Sequence, residues 1–391
     1  MSKCEMKRIS KSTLAVIMLL FSVFPIAKAE SFKMSLITCS RGGDISSAFG
    51  HSAIRVVDSV NNRDIVFNYG TFDFYDDNFL LRFLHGDLDY FLSISHFESF
   101  CRSYEEDGRG ITEQELILSE SQKIRLYEAL LENARPKNRV YRYDFLVDNC
   151  ATRIRDLFIP GDEFSFDSKM TDITWRSELR CCIADNKWLT FGIDLLLGDK
   201  VDEKISTYQQ MFLPDRLAEH FDNIKNISLH TTVLDEPTEI ISAQETSKAG
   251  NWVNRLFQPF VIFLLLYLSV IVIGLRCRWG KRYIDVFSFV FYILLGVGSL
   301  ILVYLWFFTN HVWTVNNWNL IWMNPLYLII PFMREGKWKK RLIYLTSIAS
   351  AAMVVFSWLI PQSFNSTVII IVLIQISLAA VKLGKVNLSK K

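Results

Sequence analysis

The chain has 391 residues, 50% of them hydrophobic, with 43 basic residues against 41 acidic ones. A net charge of +2 gives no footing for nucleic-acid binding, because so many of the basic residues sit in short loops between apolar stretches. Seven cysteines is an odd count, and no spacing among them matches a structural zinc site.

At the N-terminus, Lys3, Lys7, Arg8 and Lys11 precede an apolar run from Leu14 to Ile26, and Ala27-Lys28-Ala29 follows as a small-x-small cleavage site. That order marks residues 1–29 as a secretory signal peptide. Residues 30–235 alternate polar and apolar character without a long hydrophobic run, which suits one exported domain. Cys4 falls in the signal peptide and Cys277 in a loop near the membrane, leaving Cys39, Cys101, Cys150, Cys181 and Cys182 in the domain. An oxidising compartment permits disulfides, yet five thiols cannot all pair within a monomer.

Within the domain, residues 52–57 read as a strand, Asp58 to Asp64 as a turn, and residues 65–69 as a returning strand before Gly70. His51 opens the first strand, so its neighbours across the ladder lie around Asn68 to Phe72. A polar side chain there holds an imidazole in one tautomer. The stretch 117–134 has a helical period, with Ile124, Tyr127, Leu130 and Leu131 on its apolar face. After an alternating run from Tyr141 to Phe145, Asp148-Asn149-Cys150 opens an amphipathic helix with Asp148 or Asn149 as N-cap. Cys150, Ile154, Leu157 and Phe158 share a face of it, and Pro160-Gly161 ends it. A cysteine in a first helical turn feels the positive end of the helix dipole, which lowers its pKa. A histidine then suffices as general base and acid for covalent catalysis. Each residue also has an ordinary reading: Cys150 as packing or half a disulfide, His51 as filler, Asn68 as a turn residue, Arg155-Asp156 as a surface pair. Pro214 to Phe221 begins a further helix, and residues 236–258 read as a polar linker.

Five apolar stretches follow, near 259–275, 286–308, 320–333, 342–361 and 367–384. The third is short and carries Pro325 and Pro331, but charge argues that it crosses. Loop 276–283 holds four basic residues, loop 334–341 holds five, and the tail is basic, while 309–319 and 362–366 hold no Lys or Arg. Basic short loops stay cytoplasmic, and all three basic segments share a side only if all five stretches span. Trp306, Trp313, Trp318, Trp338 and Trp358 fall near the interfaces, as aromatic belts do. The expectation is an all-α membrane domain of five helices over 259–384, a cytoplasmic tail over 385–391, and everything before 258 outside the cytoplasm.

Ser47-Ala48-Phe49-Gly50-His51, Arg55-Val56, Phe67-Asn68-Tyr69-Gly70 and Asp148-Asn149-Cys150 with Arg155-Asp156 closely resemble a bacterial family once known only as a domain of unknown function. That family is now linked to lipoprotein N-acylation in Bacteroidota. Its layout of signal peptide, periplasmic domain and C-terminal spans matches nearly the whole chain. More remotely, the His-first, Cys-later order is similar to the circularly permuted papain-like superfamily, including the NlpC/P60 and lecithin:retinol acyltransferase-like enzymes. The resemblance implies an α+β periplasmic domain with an antiparallel sheet and a nucleophile helix. It implies Cys150 as nucleophile and His51 as base. Asn68 takes the third place, where the lecithin:retinol acyltransferase relatives have a second His, and Tyr69 competes with it.

The implied reaction moves an acyl chain from a membrane glycerophospholipid, through a Cys150 thioester, to the free α-amine of a diacylated lipoprotein. Backbone amides at the start of the Cys150 helix, with Tyr143, would support the oxyanion. Ser47, Arg55, Asn149, Arg155 and Asp156 are candidates for substrate contact or support. So are His311, Asn316, Asn317 and Asn319 of the outward loop, as lining for a phosphate or glycerol headgroup, with Lys33 and Arg41 as further phosphate ligands. The reading calls for no cofactor, no metal and no nucleic acid, and for a monomer in the bacterial inner membrane. The competing classes are a membrane-anchored cysteine peptidase or amidase, a phospholipase, and a non-catalytic envelope scaffold.

Overall fold

The computed structural model describes residues 32–72, 78–159, 161–244, 255–276 and 280–383. The expected signal peptide, Cys4, Cys277, Pro160 and the expected tail over 385–391 lie outside the described residues.

The exported part is built on a seven-stranded antiparallel sheet. In chain order its strands are β1 (Lys33–Cys39), β2 (His51–Asp58), β3 (Arg63–Thr71), β4 (Asp89–His96), β5 (Ile111–Glu115), β6 (Val140–Arg142) and β7 (Thr238–Ile241). Their spatial order is β7-β5-β1-β2-β3-β4-β6. The expected hairpin is present, with Ile54 opposite Phe67 and Cys39 opposite His51. Residues 238–241, read as linker, instead close one edge of the sheet against β5. Their Thr-Glu-Ile-Ile sequence carries enough β-branched surface for that.

Alternation along the strands gives the sheet two buried faces. Met34, Leu36, Ile54, Val56 and Phe67 pack against α3 (Glu120–Asn133) and α4 (Cys150–Arg155). Ile37, Ala53 and Val66 pack against α2 (Phe97–Glu106). Helix α3 starts later than its period suggested, because Ser119 and Gln122 form a capping box. Its buried face carries Leu126 and Leu130, with Tyr127 beside them, whereas Ile124 and Leu131 are exposed. Helix α4 is shorter than expected. It ends at Arg155, and Leu157 and Phe158 continue as tight turns onto the same core.

Two further helices, α5 (Trp175–Cys182) and α6 (Lys187–Leu196), hang below the sheet; α7 (Pro214–Phe221) returns to it with the expected N-terminal Pro. Arg176 is almost fully buried between Asp194 and Asp202. The last carbonyls of a helix have no intrahelical donor. At the end of α6 they are met from the membrane domain: Asn319 Nδ2 donates to Asp194 O at 3.1 Å, Asn317 Nδ2 to Leu195 O at 2.7 Å, and Gln362 Nε2 to Leu197 O at 3.3 Å. The Gly198 amide adds a bond to Trp313 O at 2.9 Å.

The membrane domain has four α-helices among the described residues: α8 (Pro259–Arg276), α9 (Gly280–Phe307), α10 (Lys337–Val355) and α11 (Thr367–Lys382). Helix α9 is long and apolar enough to cross a bilayer. The third expected helix is not an α-helix. It is a run of 3-10 turns at Trp318–Ile321, Pro325–Leu328 and Ile330–Phe332, broken by Pro325 and Pro331. The run descends antiparallel to α9. Thr314 bonds to Leu305 O, Tyr327 stacks on Tyr292, and Phe332 meets Phe289. From Leu305 to Phe289 is roughly 24 Å of helix, so the broken segment follows most of the height of α9. Irregular backbone at that depth is tolerated where protein covers it. Trp322, Tyr327 and Ile330 are buried, and Gln375 Nε2 of α11 donates to Trp322 O at 2.7 Å.

Gly296 and Gly298 permit this close approach. A Cβ on Gly296 would lie 2.7 Å from the Leu328 backbone nitrogen, while one on Gly298 would meet the Met323 Sδ at 2.8 Å. A thioether can swing aside and a backbone cannot. Gly296→Val should therefore lower the thermal midpoint of detergent-solubilised protein, by a cost of about 1–3 kcal/mol, and Gly298→Ala by clearly less. Equal midpoints for both variants and the parent would show that the packing is looser than described.

Candidate active site

The site forms where β2 begins, β3 ends and α4 starts. Gly50 precedes His51, and a β-bulge between Asn68 and Thr71 bends the end of β3 around it. The His51 Nε2 donates to Asn68 Oδ1 at 2.6 Å, and the imidazole also hydrogen-bonds the Cys150 thiol. His51 thus stands between the carboxamide and the sulfur.

Asn149 sets the start of α4. Its Oδ1 accepts from the amides of Ala151 (2.9 Å) and Thr152 (3.0 Å), and Thr152 returns the bond to close a capping box. Its Nδ2 donates to Phe145 O at 2.6 Å and Phe212 O at 2.9 Å. One buried side chain therefore caps the helix and pins it to two flanking segments. The amides of Ala151 and Thr152 both go to this cap, and that of Ala151 also reaches the Cys150 sulfur.

Burial alone would push the Cys150 thiol up. The facing His51 charge, its hydrogen bond, and the amides of Ser52 and Ala151 outweigh that, so the thiol titrates below its ordinary value. Burial would likewise lower His51, yet Cys150 and Asn68 hold it above the usual imidazole range. Both shifts favour passing the thiol proton to the imidazole. The neighbouring thiols move the other way. Burial pushes Cys39 and Cys182 up to about 12 and also raises Cys101. All five described cysteines are free.

Gly70 has φ +87°, and a Cβ there would lie 3.7 Å from both the Cys150 Cβ and the His51 Cε1. It is a site residue that the sequence reading quoted but did not assign; a strand-end glycine next to a candidate His–Asn pair was the available signal. Around the thiol, Tyr143 stacks on Tyr90 with centroids 4.0 Å apart, and Tyr90 meets Phe72 at 5.1 Å. Burial raises the Tyr143 hydroxyl well above its usual range, and the Cys150 charge adds to that.

Several candidates are engaged elsewhere. Tyr69 is buried in the core and its hydroxyl accepts from Asn133 Nδ2 at 2.9 Å, so Asn68 alone of the two meets His51. Ser47 shapes the turn before His51, bonding to Asp44 O and accepting from the Gly50 amide. Arg55, expected to contact substrate, is held by Asp64 and Glu113 beneath the Phe97 ring. Arg155 and Asp156 clamp Tyr208: the guanidinium lies over its ring and the carboxylate accepts from its hydroxyl. Lys33 pairs with Glu115, and Arg41 with Asp215.

The candidates of loop 309–319 make contacts within the protein as well. His311 Nε2 reaches Phe83 O at 3.1 Å, Asn319 is buried between the end of α6 and Trp322, and Asn316 turns the loop at φ 53°. The loop nevertheless touches the site through a residue the sequence reading placed only in an aromatic belt. Trp313 Nε1 donates to both carboxylate oxygens of Asp144, at 2.9 and 3.0 Å. Asp144 Oδ1 also accepts from the amides of Leu146 and Val147, and its backbone bridges Asp148, two residues before the thiol.

A cysteine with a lowered pKa, held by a histidine in a domain seated on a long apolar helix, fits a membrane-bound thiol-dependent enzyme. Family models specify which. Residues 25–177 match the Lnb N-terminal periplasmic domain, and residues 251–384 match the Lnb transmembrane domain. The chain belongs to the Lnb family of lipoprotein N-acyltransferases, and it is a cysteine-dependent acyltransferase. Neither a curated relative nor a solved structure matches it.

Two outcomes test this geometry. Alkylation of Cys150 by iodoacetamide, followed by mass spectrometry, should persist to pH values below the ordinary thiol range. In His51→Gln the inflection should move above that range, because the burial remains after its counter-charge is gone. An unchanged profile would exclude the ion pair. Gly70→Ala should slow acyl transfer at least about tenfold, since the added methyl meets a strained backbone and both reacting side chains.

Proposed function

We propose that Cys150 is the nucleophile, His51 the general base and acid, and Asn68 the residue that orients the imidazole. The observation that carries this reading is His51 held between Asn68 and Cys150. The Cys150 thiolate attacks an ester carbonyl of a glycerophospholipid. The tetrahedral intermediate collapses to a thioester, and the imidazolium of His51 protonates the departing lysophospholipid alkoxide. The α-amine of a diacylglyceryl-cysteine lipoprotein then attacks the thioester. His51 takes the amine proton as the C–S bond breaks, which restores the thiolate–imidazolium pair. An α-amine with a pKa near 8 is partly neutral at pH 7 and is a competent nucleophile. With Ala151 and Thr152 occupied by Asn149, the Cys150 amide is the first-turn donor proposed for the oxyanion, with Tyr143 beside it.

In this reading the domain is a permuted papain-like fold in the periplasm. The four helices and the broken third segment cross the bacterial inner membrane five times. The bonds from loops 309–319 and 362–366 to the periplasmic domain support that topology, as does the basic character of the opposite loops. A peptidase would need no such seat on lipid. A phospholipase would share the first half-reaction and differ only in admitting water to the thioester.

Purified enzyme given a phospholipid with labelled acyl chains and a diacylated lipopeptide should place label on the peptide amine. Free labelled fatty acid alone would indicate a lipase, and label in neither product would overturn the donor assignment. Cys150→Ala and His51→Ala should abolish transfer while the folded protein stays in the membrane. Asn68→Ala should cost about 10- to 100-fold, the worth of one hydrogen bond to a charged group.

A further inference from the structure

One element near the site is otherwise unexplained. Helix α1 (Phe79–His85) joins β3 to β4 and reads Phe-Leu-Leu-Arg-Phe-Leu-His. Leu81 and Leu84, three residues apart and so on one face, are 62% and 41% exposed. Arg82 is turned inward to Asp89 and to the Asp87 carbonyl, so the helix is amphipathic with its apolar side outward. On a water-facing surface that arrangement is unfavourable.

Its position supplies the reason. The helix is fastened to the outer end of α9. The Asn310 amide donates to His85 O at 2.8 Å, Asn310 Nδ2 to Asp87 Oδ1 at 2.8 Å, and His311 Nε2 to Phe83 O at 3.1 Å. The His85 ring meets Tyr304 of α9 edge-on at 5.9 Å. At that same end of the span, Phe307 and Phe308 are each 63% exposed. Exposed rings at the end of a membrane-crossing helix lie in lipid or at its boundary. Leu81 and Leu84 belong to the helix bonded to that end of the span. On the protein side, the chain leaving α1 enters β4, where Tyr90 begins the ring contacts to Phe72 and to Tyr143 beside the thiol.

We propose that α1 lies in the outer leaflet, with Leu81 and Leu84 among the acyl chains, and that the phospholipid acyl donor reaches Cys150 from this side. The inference rests on the phospholipid-donor reading above and adds the place where the donor leaves the bilayer. A short amphipathic helix beside a span suits the interface plane, and it fixes the height of the ester carbonyl relative to the thiol.

The test uses the full-length enzyme in vesicles of phosphatidylethanolamine and phosphatidylglycerol. Photocrosslinking from Leu81→p-benzoylphenylalanine or Leu84→p-benzoylphenylalanine should yield phospholipid adducts, as should Phe307→p-benzoylphenylalanine in the span. The same replacement at Val60, in the turn at the far end of β2, should yield none. Adducts at 307 without adducts at 81 or 84 would overturn the proposal. In a second arm, Leu81→Asp/Leu84→Asp should lower transfer from bilayer phospholipid at least tenfold, yet leave release of nitrophenol from soluble p-nitrophenyl butyrate unchanged. Equal loss of both activities, or loss of neither, would count against it. If the parent enzyme transfers nothing from phospholipid, the donor assignment fails while the crosslinks still decide where α1 lies.

Discussion

One interface places the thiol: the periplasmic domain is held on the transmembrane domain. The hydrogen bonds that do this are directed to backbone. Asn317, Asn319 and Gln362 reach the carbonyls that α6 leaves open at its C-terminus. Such groups must find partners when buried. The docking therefore satisfies a need of both halves, and it does not depend on a surface ion pair that salt would screen. The buried Arg176–Asp194–Asp202 cluster stiffens α6 from the other side, and Asp194 also receives Asn365 from the second outward loop.

The His51–Cys150 pair is likewise held by its surroundings. Cys150 is buried and His51 half-buried, and burial alone would push the thiol up and the imidazole down. Facing each other they shift the opposite way, the thiol down and the imidazole up, while Asn68 accepts from the other imidazole nitrogen. Cys39 shows the contrast. It sits opposite His51 in the ladder, equally buried, and without such a partner its thiol is driven up.

What was legible in the sequence followed from period and punctuation. The 52–57 and 65–69 hairpin, the helix start at Cys150 and the strand-end meeting of His51 with Asn68 come from alternation, an N-cap residue and ladder geometry. What was not legible depended on distant partners. Nothing local distinguishes Arg55 as a substrate ligand from Arg55 as a pair to Glu113, fifty-eight residues away. Asn319 as a polar loop residue and Asn319 as a cap on a helix from another domain read the same. The third apolar stretch was legible as a segment packed with the membrane helices, but its backbone form was not. Gly296 and Gly298 of α9 and Gln375 of α11 make the broken turns tolerable, and all three lie in other elements.

The bond from Trp313 to Asp144 has a consequence for how the protein comes to exist. Asp144 organises the turn that leads into the thiol helix, yet its indole partner is 169 residues further along the chain. A chain made from its N-terminus has completed Asp144 and the helix at Cys150 well before that tryptophan exists. The carboxylate can therefore gain this ligand only once the chain has been made through α9 and the loop that follows it. The finishing contact of the nucleophile turn is thus supplied by the anchor, and the order of assembly runs from lipid to chemistry.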